Sequence, residues 1–399
     1  MRTNAAHTHP PSEHPPNKQA QQSTRQHPGG EQCPLRHRAL AAARGVQRHQ
    51  PLRLAEQLAL AVRILAGLSA PFADAYNRTG GAACRAVFAW VTAIFPFSLA
   101  ETLLLAALPV GVWYVLYCIR VVPPARLLRH AFGVLAGLAL IFSAFFLNYG
   151  AAYGATPLED KIGLEVTAPS AEDLTSATAY TAVQLNDAAK EVQFAASGAS
   201  HMPYSFAELT KKLNAAYDKL YPDYDFLTPL HAPVKRIALS KPMTYTHLSG
   251  IYAVYTGEAN VNFNYPDFVI VYTTAHEMAH QRGVAPEDEA NFIAYLVCAA
   301  SDDPYIRYCG YANLYEYLAD ALYGANPDAY RSIAAFLDDR VRGEFAAYSK
   351  MFEPYRNSTA SDVADTVNDT YLKWQGETAG TKSYGLVVDL AVAYLKKLY

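Results

Sequence analysis

Long apolar runs dominate the first half of the chain. Leu99–Ile119 carries a single charged residue, Glu101, near its start, and Ala131–Tyr149 carries none. Both runs have the roughly 20 residues that a helix needs to cross a bilayer. A weaker run at residues 54–70 has Arg63 near its middle, and an arginine at the centre of a bilayer costs about 2.5–3.5 kcal/mol. The strong runs therefore predict membrane spans, and the weak run predicts either a third span or an amphipathic helix in the interface.

The pattern changes after about residue 170 to that of a globular domain. Tyr204–Leu220 has the spacing of an amphipathic helix, whereas Val234–Leu239 and Ile251–Tyr255 are short runs typical of strands. Helical patterns predominate from about residue 267, and Tyr384–Tyr399 predicts a closing helix. The expected fold of this part is α+β, mostly helical with a small sheet.

Charge is distributed unevenly along the 399 residues, of which 51% are hydrophobic and 17% charged. Residues 1–150 contain 14 basic and 5 acidic residues, whereas residues 151–399 contain 19 basic and 31 acidic residues. This contrast indicates that the two halves face different environments. The basic charge lies in a polar tail, which we expect to be disordered, and beside apolar runs, so nucleic-acid binding is not expected.

The positions of the arginines predict the topology. The segment between the two strong runs contains Arg120, Arg126 and Arg129 and no acidic residue, and the tail is also basic. Positive segments stay on the cytoplasmic side, and both can do so only if the weak run crosses the membrane as well. We therefore expect a multi-pass protein of the cell membrane. Its parts are a disordered tail (1–53), an α-helical anchor of about three spans (54–150) and an extracytoplasmic domain (151–399).

One short motif carries candidate chemistry: His276-Glu277-Met-Ala-His280. Residues four apart share one face of a helix, so the two imidazoles can bind one metal ion, and Glu277 beside it can take a proton from a water molecule. Zn²⁺ suits two nitrogens, a carboxylate and an open position best. The alternative is a helix whose histidines stack by chance on its polar face. The apolar run Val269–Val271 predicts a buried helix, in which uncompensated polar groups are costly, and so favours the metal site.

Glu287 and Glu289 are the candidates for the third ligand. Gly283 ends the first helix and Pro286 starts a second, which returns acidic residues toward the motif. Glu287-Asp-Glu-Ala-Asn291 is similar to the Glu-x-x-Ala-Asp motif of many metallopeptidases with an HExxH helix. That similarity implies Glu287 as the ligand, with Asn291 in place of the aspartate that steadies a histidine. Glu289 is the alternative, and either glutamate could be an ordinary acidic residue at a helix N-terminus.

Two flanking features complete the predicted site. Ser249–Asn262 predicts a strand followed by a polar turn, and a strand at a sheet edge can pair with an extended substrate. Tyr308 and Tyr311 could donate a hydrogen bond to a developing oxyanion, although packing is the more common role among 29 tyrosines.

Cys298 and Cys309 could form a disulfide if this half of the chain lies outside the cytoplasm. Two unpaired thiols, with Cys298 inside a helix, are the favoured interpretation.

The chain resembles a family of bacterial membrane proteins known as domain-of-unknown-function family 3810. The likeness includes the HExxH motif through Gly283 and five further segments, which are Pro96–Glu101, Gly257–Asn262, Glu287–Leu296, Asn368–Lys373 and Ser383–Gly385. It covers about residues 54–399. The resemblance implies a membrane-anchored, zincin-like domain and brings no established substrate.

The first functional hypothesis is a membrane-anchored zinc metallopeptidase (HExxH type) that cleaves peptide bonds outside the cytoplasm. His276, His280 and Glu287 are its expected Zn²⁺ ligands, Glu277 its catalytic residue, and the lipid bilayer and a peptide or protein substrate its partners. A non-catalytic, zinc-binding membrane receptor or scaffold is the alternative. A hydrolase of another amide, such as a cell-wall peptide bond, is the third hypothesis.

Overall fold

The computed structural model describes residues 54–375 and 386–398, which are mostly helical. The predicted disordered tail and three residues of the predicted closing helix, Tyr384, Gly385 and Tyr399, lie outside the described residues. The helices are α1 (54–68), α2 (Ala70–Tyr76), α3 (Ala82–Ala93), α4 (Leu99–Arg120), α5 (Pro124–Asn148), α6 (Leu158–Lys161), α7 (Ala171–Ala188), α8 (Phe206–Leu220), α9 (Ser240–Thr244), α10 (Asp267–Gln281), α11 (Glu287–Ala300), α12 (Pro304–Ala325), α13 (Pro327–Phe336), α14 (Asp339–Phe352), α15 (Thr359–Gln375) and α16 (Val387–Leu395).

Two helices, α4 and α5, are long and apolar enough to cross a membrane. They correspond to the two strong apolar runs, and α5 starts earlier than predicted because Pro124 is well suited to the first turn of a helix. Helix α4 begins where the Ser98 hydroxyl accepts a hydrogen bond from the Glu101 N–H (3.0 Å). Within the described part of the chain, none of the residues of α4 is buried, which is typical of a helix that faces lipid or a partner.

Helix α1 follows the weak apolar run. Val62 and Ala66 pack against Ala151, just beyond the end of α5. The Arg63 guanidinium lies over the Phe146 ring, 5.5 Å from its centroid. Because Phe146 belongs to the last turn of α5, Arg63 lies at one end of the apolar helices and not halfway along them.

A small sheet contains three strands, β1 (Lys235–Arg236), β2 (Gly250–Ala253) and β3 (Glu258–Val261), in the order β1-β3-β2. Strand β1 is parallel to β3, and β2 is antiparallel to it. Strand β2 therefore forms one edge of the sheet.

The sequence predicted that a polar turn follows β2, and this prediction is wrong for the second half of that segment. The turn covers residues 254–257, and the polar segment that follows is the central strand β3, which is buried throughout. Polar side chains fit there because they have hydrogen-bond partners. Glu258 accepts from the Leu99 and Ala100 N–H groups, and the Asn260 amide donates to the Ile251 carbonyl (3.2 Å).

Residues 70–98, which the sequence assigns to the anchor, pack on the C-terminal elements. The fully buried Arg85 of α3 donates to the Asn148 carbonyl at the end of α5 (3.1 Å). Near the other end of α3, the Thr92 hydroxyl donates to the Thr256 carbonyl (3.0 Å). Hydrogen bonds therefore join the apolar helices directly to the sheet and its neighbours.

The main core surrounds α10, against which α8, α11, α12 and the sheet pack. Phe268, Val271 and Met278 of α10 are fully buried in it. Cys298 and Cys309 lie in the same core as free thiols, which is the favoured interpretation of these two residues.

The Glu258 carboxylate accepts hydrogen bonds from the Leu99 (3.1 Å) and Ala100 (2.8 Å) N–H groups at the N-terminus of α4. We expect Glu258→Gln to lower the unfolding temperature of the detergent-purified protein by several degrees. The amide loses the charge that favours this position, and a buried charged acceptor contributes about 1–3 kcal/mol.

Differential scanning fluorimetry measures this effect. Glu208→Gln makes the same change at an exposed residue in the first turn of α8. That control is expected to shift the unfolding temperature by no more than about 1–2 °C. Equal shifts for the two variants would show that Glu258 does not stabilise the start of α4.

Candidate metal centre

Helix α10 carries His276, Glu277 and His280 in its last two turns. The helix is buried on nearly all sides, as the apolar run Val269–Val271 predicts. The HExxH motif therefore lies in the protein interior, where polar side chains need a partner.

A turn at Gly283 directs the chain back toward the motif. The φ of Gly283 is +97°, in the left-handed region that favours glycine. The Val284 N–H donates to the Ala279 carbonyl (3.2 Å), which closes the end of α10. A Cβ atom on Gly283 would also lie 2.5 Å from the Arg85 guanidinium. This turn places Val284 beside His280 and leads directly into α11.

The side chains of His276, His280 and Glu287 converge on one point. The two Nε2 atoms are 3.0 Å apart, and Glu287 Oε2 lies 3.2 Å from His276 Nε2 and 3.5 Å from His280 Nε2. Ligand atoms roughly 2.0–2.1 Å from a tetrahedral ion lie about 3.3–3.4 Å from each other. The three atoms therefore have the spacing of ligands to a single metal ion.

These three side chains are shielded from solvent, but two of them are not sealed off. His280 is 6% exposed, whereas His276 is 12% and Glu287 17% exposed. His276 and Glu287 are therefore the members of the cluster that keep some exposure to solvent.

Hydrogen bonds to the main chain define the tautomer of His280. Its Nδ1 lies 2.8 Å from the Val284 carbonyl oxygen, which can only accept, so Nδ1 carries the hydrogen. The Tyr149 hydroxyl lies 2.9 Å from the same Nδ1 and donates to Val284 (3.1 Å). In the neutral ring, the Nε2 lone pair therefore points toward His276 and Glu287, as a metal ligand requires.

His276 has a neighbour of the predicted kind. The Asn291 side chain lies close enough to His276 to raise the pKa of that ring. His276 Nδ1 and the Asn291 amide nitrogen are both buried and have no hydrogen-bond partner in the part of the chain that the structure describes. An amide oxygen can accept a hydrogen bond from a ring N–H, which is the role that the sequence predicts for Asn291.

Glu277 lies beside the three converging side chains, against the edge strand. It is 4% exposed, and its buried Oε2 has no hydrogen-bond partner among the described residues. A Cβ atom on Gly250 of β2 would lie 2.5 Å from Glu277 Oε1 and 2.6 Å from Thr273 Cγ2. Burial raises the pKa of Glu277 to about 8, with Glu287 adding to the increase and His280 opposing it. Glycine at position 250 thus leaves room for a buried carboxylate next to the site.

The converging side chains shift each other's pKa values. Burial lowers the pKa of His276. Burial also lowers that of His280, but the Glu287 and Glu277 carboxylates raise it to about 9. Burial opposes the ionisation of Glu287, yet the two histidines hold its pKa well below the usual range. A proton on His280 Nε2 and a metal ion would therefore compete for the same lone pair.

The structure separates the two candidate third ligands. Glu287 joins the histidines, whereas Glu289, two residues later on α11, faces away and accepts a hydrogen bond from the Leu158 N–H (2.9 Å).

Neither predicted tyrosine contacts the converging side chains. The Tyr308 hydroxyl donates to the buried Glu344 (3.1 Å), and the Tyr311 ring packs on Tyr295. Both residues have packing or structural roles in the described part of the chain.

Three other tyrosines lie at the site and have no local signal in the sequence. Tyr149 bonds to His280, and the Tyr153 and Tyr371 hydroxyls lie 3.3 Å apart, both close enough to Glu287 for its charge to raise their pKa values. Tyr371 belongs to one of the segments that carry the family resemblance. The family resemblance of that segment was the indication in the sequence that Tyr371 could lie at the site.

The fold and these contacts define a mostly helical protein with a small sheet, two helices that could cross a membrane and a cluster of three converging ligand-type side chains. The chain belongs to the family of proteins of unknown function DUF3810, whose family model matches residues 76–392. The match confirms the resemblance and includes α4, α5 and all residues of the cluster. No curated protein and no solved structure matches the chain.

The contact between Gly250 and Glu277 leads to a stability prediction. We expect Gly250→Ala to lower the unfolding temperature by several degrees, because the new methyl group must displace both Glu277 and Thr273. Gly324→Ala is the control, since a Cβ atom there meets no neighbour within 4 Å and alanine favours the helix α12. Thermal unfolding of both variants checks the prediction. A neutral Gly250→Ala would show that the Glu277 side chain does not need this space.

Proposed function

We propose that this protein is a membrane-anchored, zinc-dependent metallopeptidase with a zincin-like domain outside the cytoplasm. The observation that carries the proposal is the convergence of two histidine nitrogens and one carboxylate oxygen beside Glu277, whose buried Oε2 accepts no hydrogen bond from the described residues. Two imidazoles and a carboxylate are a donor set that suits Zn²⁺ and leaves one position open.

Each residue of the cluster would have a separate role. His276, His280 and Glu287 would hold the ion, and the Val284 carbonyl and Tyr149 would keep the His280 ring in the required orientation. Zinc supplies a Lewis acid that polarises a carbonyl group and makes water more acidic.

Glu277 would act as general base. Its buried Oε2 accepts no hydrogen bond within residues 54–375 and 386–398, and it would accept a proton from the attacking water molecule. A dication nearby favours the ionised carboxylate and so opposes the burial that raises the pKa of Glu277 to about 8.

The edge strand supports a peptide substrate. Strand β2 pairs only with β3 in the described sheet, and its first residue, Gly250, contacts Glu277. An extended peptide that pairs with the free edge of β2 would pass next to the general base.

Helices α4 and α5 would anchor this domain in the membrane. Arg120 ends α4, and Arg126 and Arg129 lie in the first two turns of α5, so the connection between the two helices would be cytoplasmic and the cluster extracytoplasmic. Helix α1 would be the third span. Its Arg63 lies beside Phe146, where it could reach the interface and avoid the cost of the bilayer centre.

The third ligand can be tested by metal content. We expect purified Glu287→Gln protein to lose most of its zinc on dialysis, because a neutral amide is a poor ligand. Glu289→Gln changes the same residue type two positions away on the same helix and is expected to keep it. Inductively coupled plasma mass spectrometry counts zinc per chain, and circular dichroism verifies the fold. Equal zinc in the two variants would exclude Glu287 as a ligand.

The general base can be tested separately. We expect Glu277→Gln to keep its zinc and to lower turnover of a peptide library by about 10²–10⁴-fold. Mass spectrometry of the library measures cleavage, with Glu289→Gln as the active control. Undiminished turnover in Glu277→Gln would contradict its role. A zinc-loaded wild-type protein that cleaves nothing would favour the non-catalytic receptor or scaffold.

A further inference from the structure

We infer that the metal centre acts at the surface of the membrane, on a polypeptide that is itself attached to the bilayer. The inference rests on the proposed function and names the substrate class of the same site. It comes from the position of the site relative to the ends of α4 and α5, and from an apolar surface beside them.

The length of α4 sets the level of the membrane boundary. Its 22 residues span about 33 Å, close to the roughly 30 Å of a hydrocarbon core. With Arg120 at the cytoplasmic boundary, Leu99 lies at the outer one. The Leu99 N–H is bonded to Glu258 (3.1 Å), so β3 begins at that boundary.

The metal centre is next to the same boundary. Tyr149 directly follows the last residue of α5, and its hydroxyl lies 2.9 Å from His280 Nδ1. A single tyrosine side chain therefore separates the end of a span from a ligand of the metal.

Hydrogen bonds connect the outer ends of both α4 and α5 to the elements around the metal centre. At α5, Arg85 donates to the Asn148 carbonyl, and the Asn148 amide donates to the Val254 carbonyl at the end of β2. At α4, the Glu101 carboxylate accepts from the Ala238 and Leu239 N–H groups (2.8 Å each). The site is therefore held at the level of the boundary and cannot swing away from it on a flexible linker.

Helix α3 runs along this boundary between the two spans. Arg85 near its start is bonded to the end of α5, and α4 begins shortly after its last residue. Its inner face, with Ala89, packs on Leu230 and Ala232. Its outer face is apolar and more than half exposed, and consists of Val87, Trp90 and Val91 together with Ile94, the residue that follows the helix.

Lipid is the occupant that fits this outer face. The four residues have the i, i+3, i+4, i+7 spacing of one helical stripe, and the helix connects two points at which spans leave the membrane. Tryptophan is also enriched at the level of lipid headgroups. We define the lipid-facing surface as these four residues together with Trp374.

Trp374 extends this surface to the other side of the site. Its ring is half exposed and packs on Phe142 and Phe146 of α5 (5.8 Å between centroids in each case). One turn earlier on α15, Tyr371 reaches Tyr153 beside the cluster. The same helix therefore contacts both the membrane span and the metal centre.

A substrate attached to the bilayer has its first external residues at the level of this site. Attachment to the same membrane gives the cleavable bond a high effective concentration at the site. This concentration falls as the spacer between the membrane and the cleaved bond lengthens. A free peptide lacks this advantage. We therefore expect preference for peptide bonds within a few residues of the membrane.

The position of the domain can be measured with the three tryptophans of the chain. Tryptophan-to-phenylalanine variants that retain only Trp90, Trp113 or Trp374 are reconstituted in vesicles that contain lipids brominated at shallow or deep acyl positions. We expect shallow bromines to quench Trp90 and Trp374, and deep bromines to quench Trp113 of α4. Quenching of Trp90 and Trp374 by aqueous iodide but by neither lipid would overturn the inference.

Cleavage tests the substrate class directly. The full zinc-loaded chain in phosphatidylethanolamine–phosphatidylglycerol vesicles receives one randomised peptide segment in three forms. The segment is joined directly to a membrane-spanning helix, joined to it through a long Gly-Ser spacer, or free in solution. We expect the directly joined form to be cut at least about 10-fold faster than the other two.

The two failures are distinguishable. Equal cutting of all three forms, abolished by Glu277→Gln, would overturn the membrane-attached substrate and uphold the metallopeptidase. No cutting of any form by the zinc-loaded wild-type protein would overturn the metallopeptidase and, with it, this inference.

Discussion

The rest of the structure depends on three lone pairs brought together in a space that excludes most water. Two imidazole Nε2 atoms and a carboxylate oxygen lie 3.0–3.5 Å apart. Such atoms repel each other unless a proton or a cation lies between them. Burial adds a desolvation cost that has to be offset by contacts elsewhere. The core around α10 supplies that compensation, and the turn at Gly283 returns α11 so that Glu287 meets the histidines.

Two buried arginines stabilise the end of α10 that this arrangement requires. Arg282 donates to the Met278 carbonyl (3.0 Å) in the last turn of the helix, and its guanidinium lies 4.0 Å from the centre of the Tyr217 ring. On the other side of Gly283, Arg85 donates to the Asn148 carbonyl. The same cation therefore satisfies the end of α5 while it packs against the turn that forms the site. Anchor and site consequently share part of one hydrogen-bond network.

Sequence patterns predicted what depends on local spacing. The apolar runs anticipated α4 and α5. The HExxH spacing with the Gly283 turn anticipated that His276 and His280 would meet an acidic residue of the next helix, and the similarity to the Glu-x-x-Ala-Asp motif selected Glu287 over Glu289. The polar composition of β3 concealed a central strand, because its burial depends on partners such as the N-terminus of α4, more than 150 residues earlier in the chain. Tyr149 was missed for the same reason, since it is 131 residues from His280. Contacts of that range leave no periodic trace in either segment.

The environment of Glu277 bears on the difference between a catalytic and a structural metal site. A structural zinc site is closed by four protein ligands, whereas a catalytic one has three and an open position. In the described ranges, the cluster has three ligand-type residues, and the nearby carboxylate of Glu277 is not one of them. Glu277 Oε2 is buried and accepts no hydrogen bond from the described residues, an arrangement that costs about 1–3 kcal/mol unless a bound ligand or water molecule offsets it. A structural site would gain nothing from that cost. A general base needs an acceptor that no other group occupies, and Gly250 leaves the space in which Glu277 can provide one.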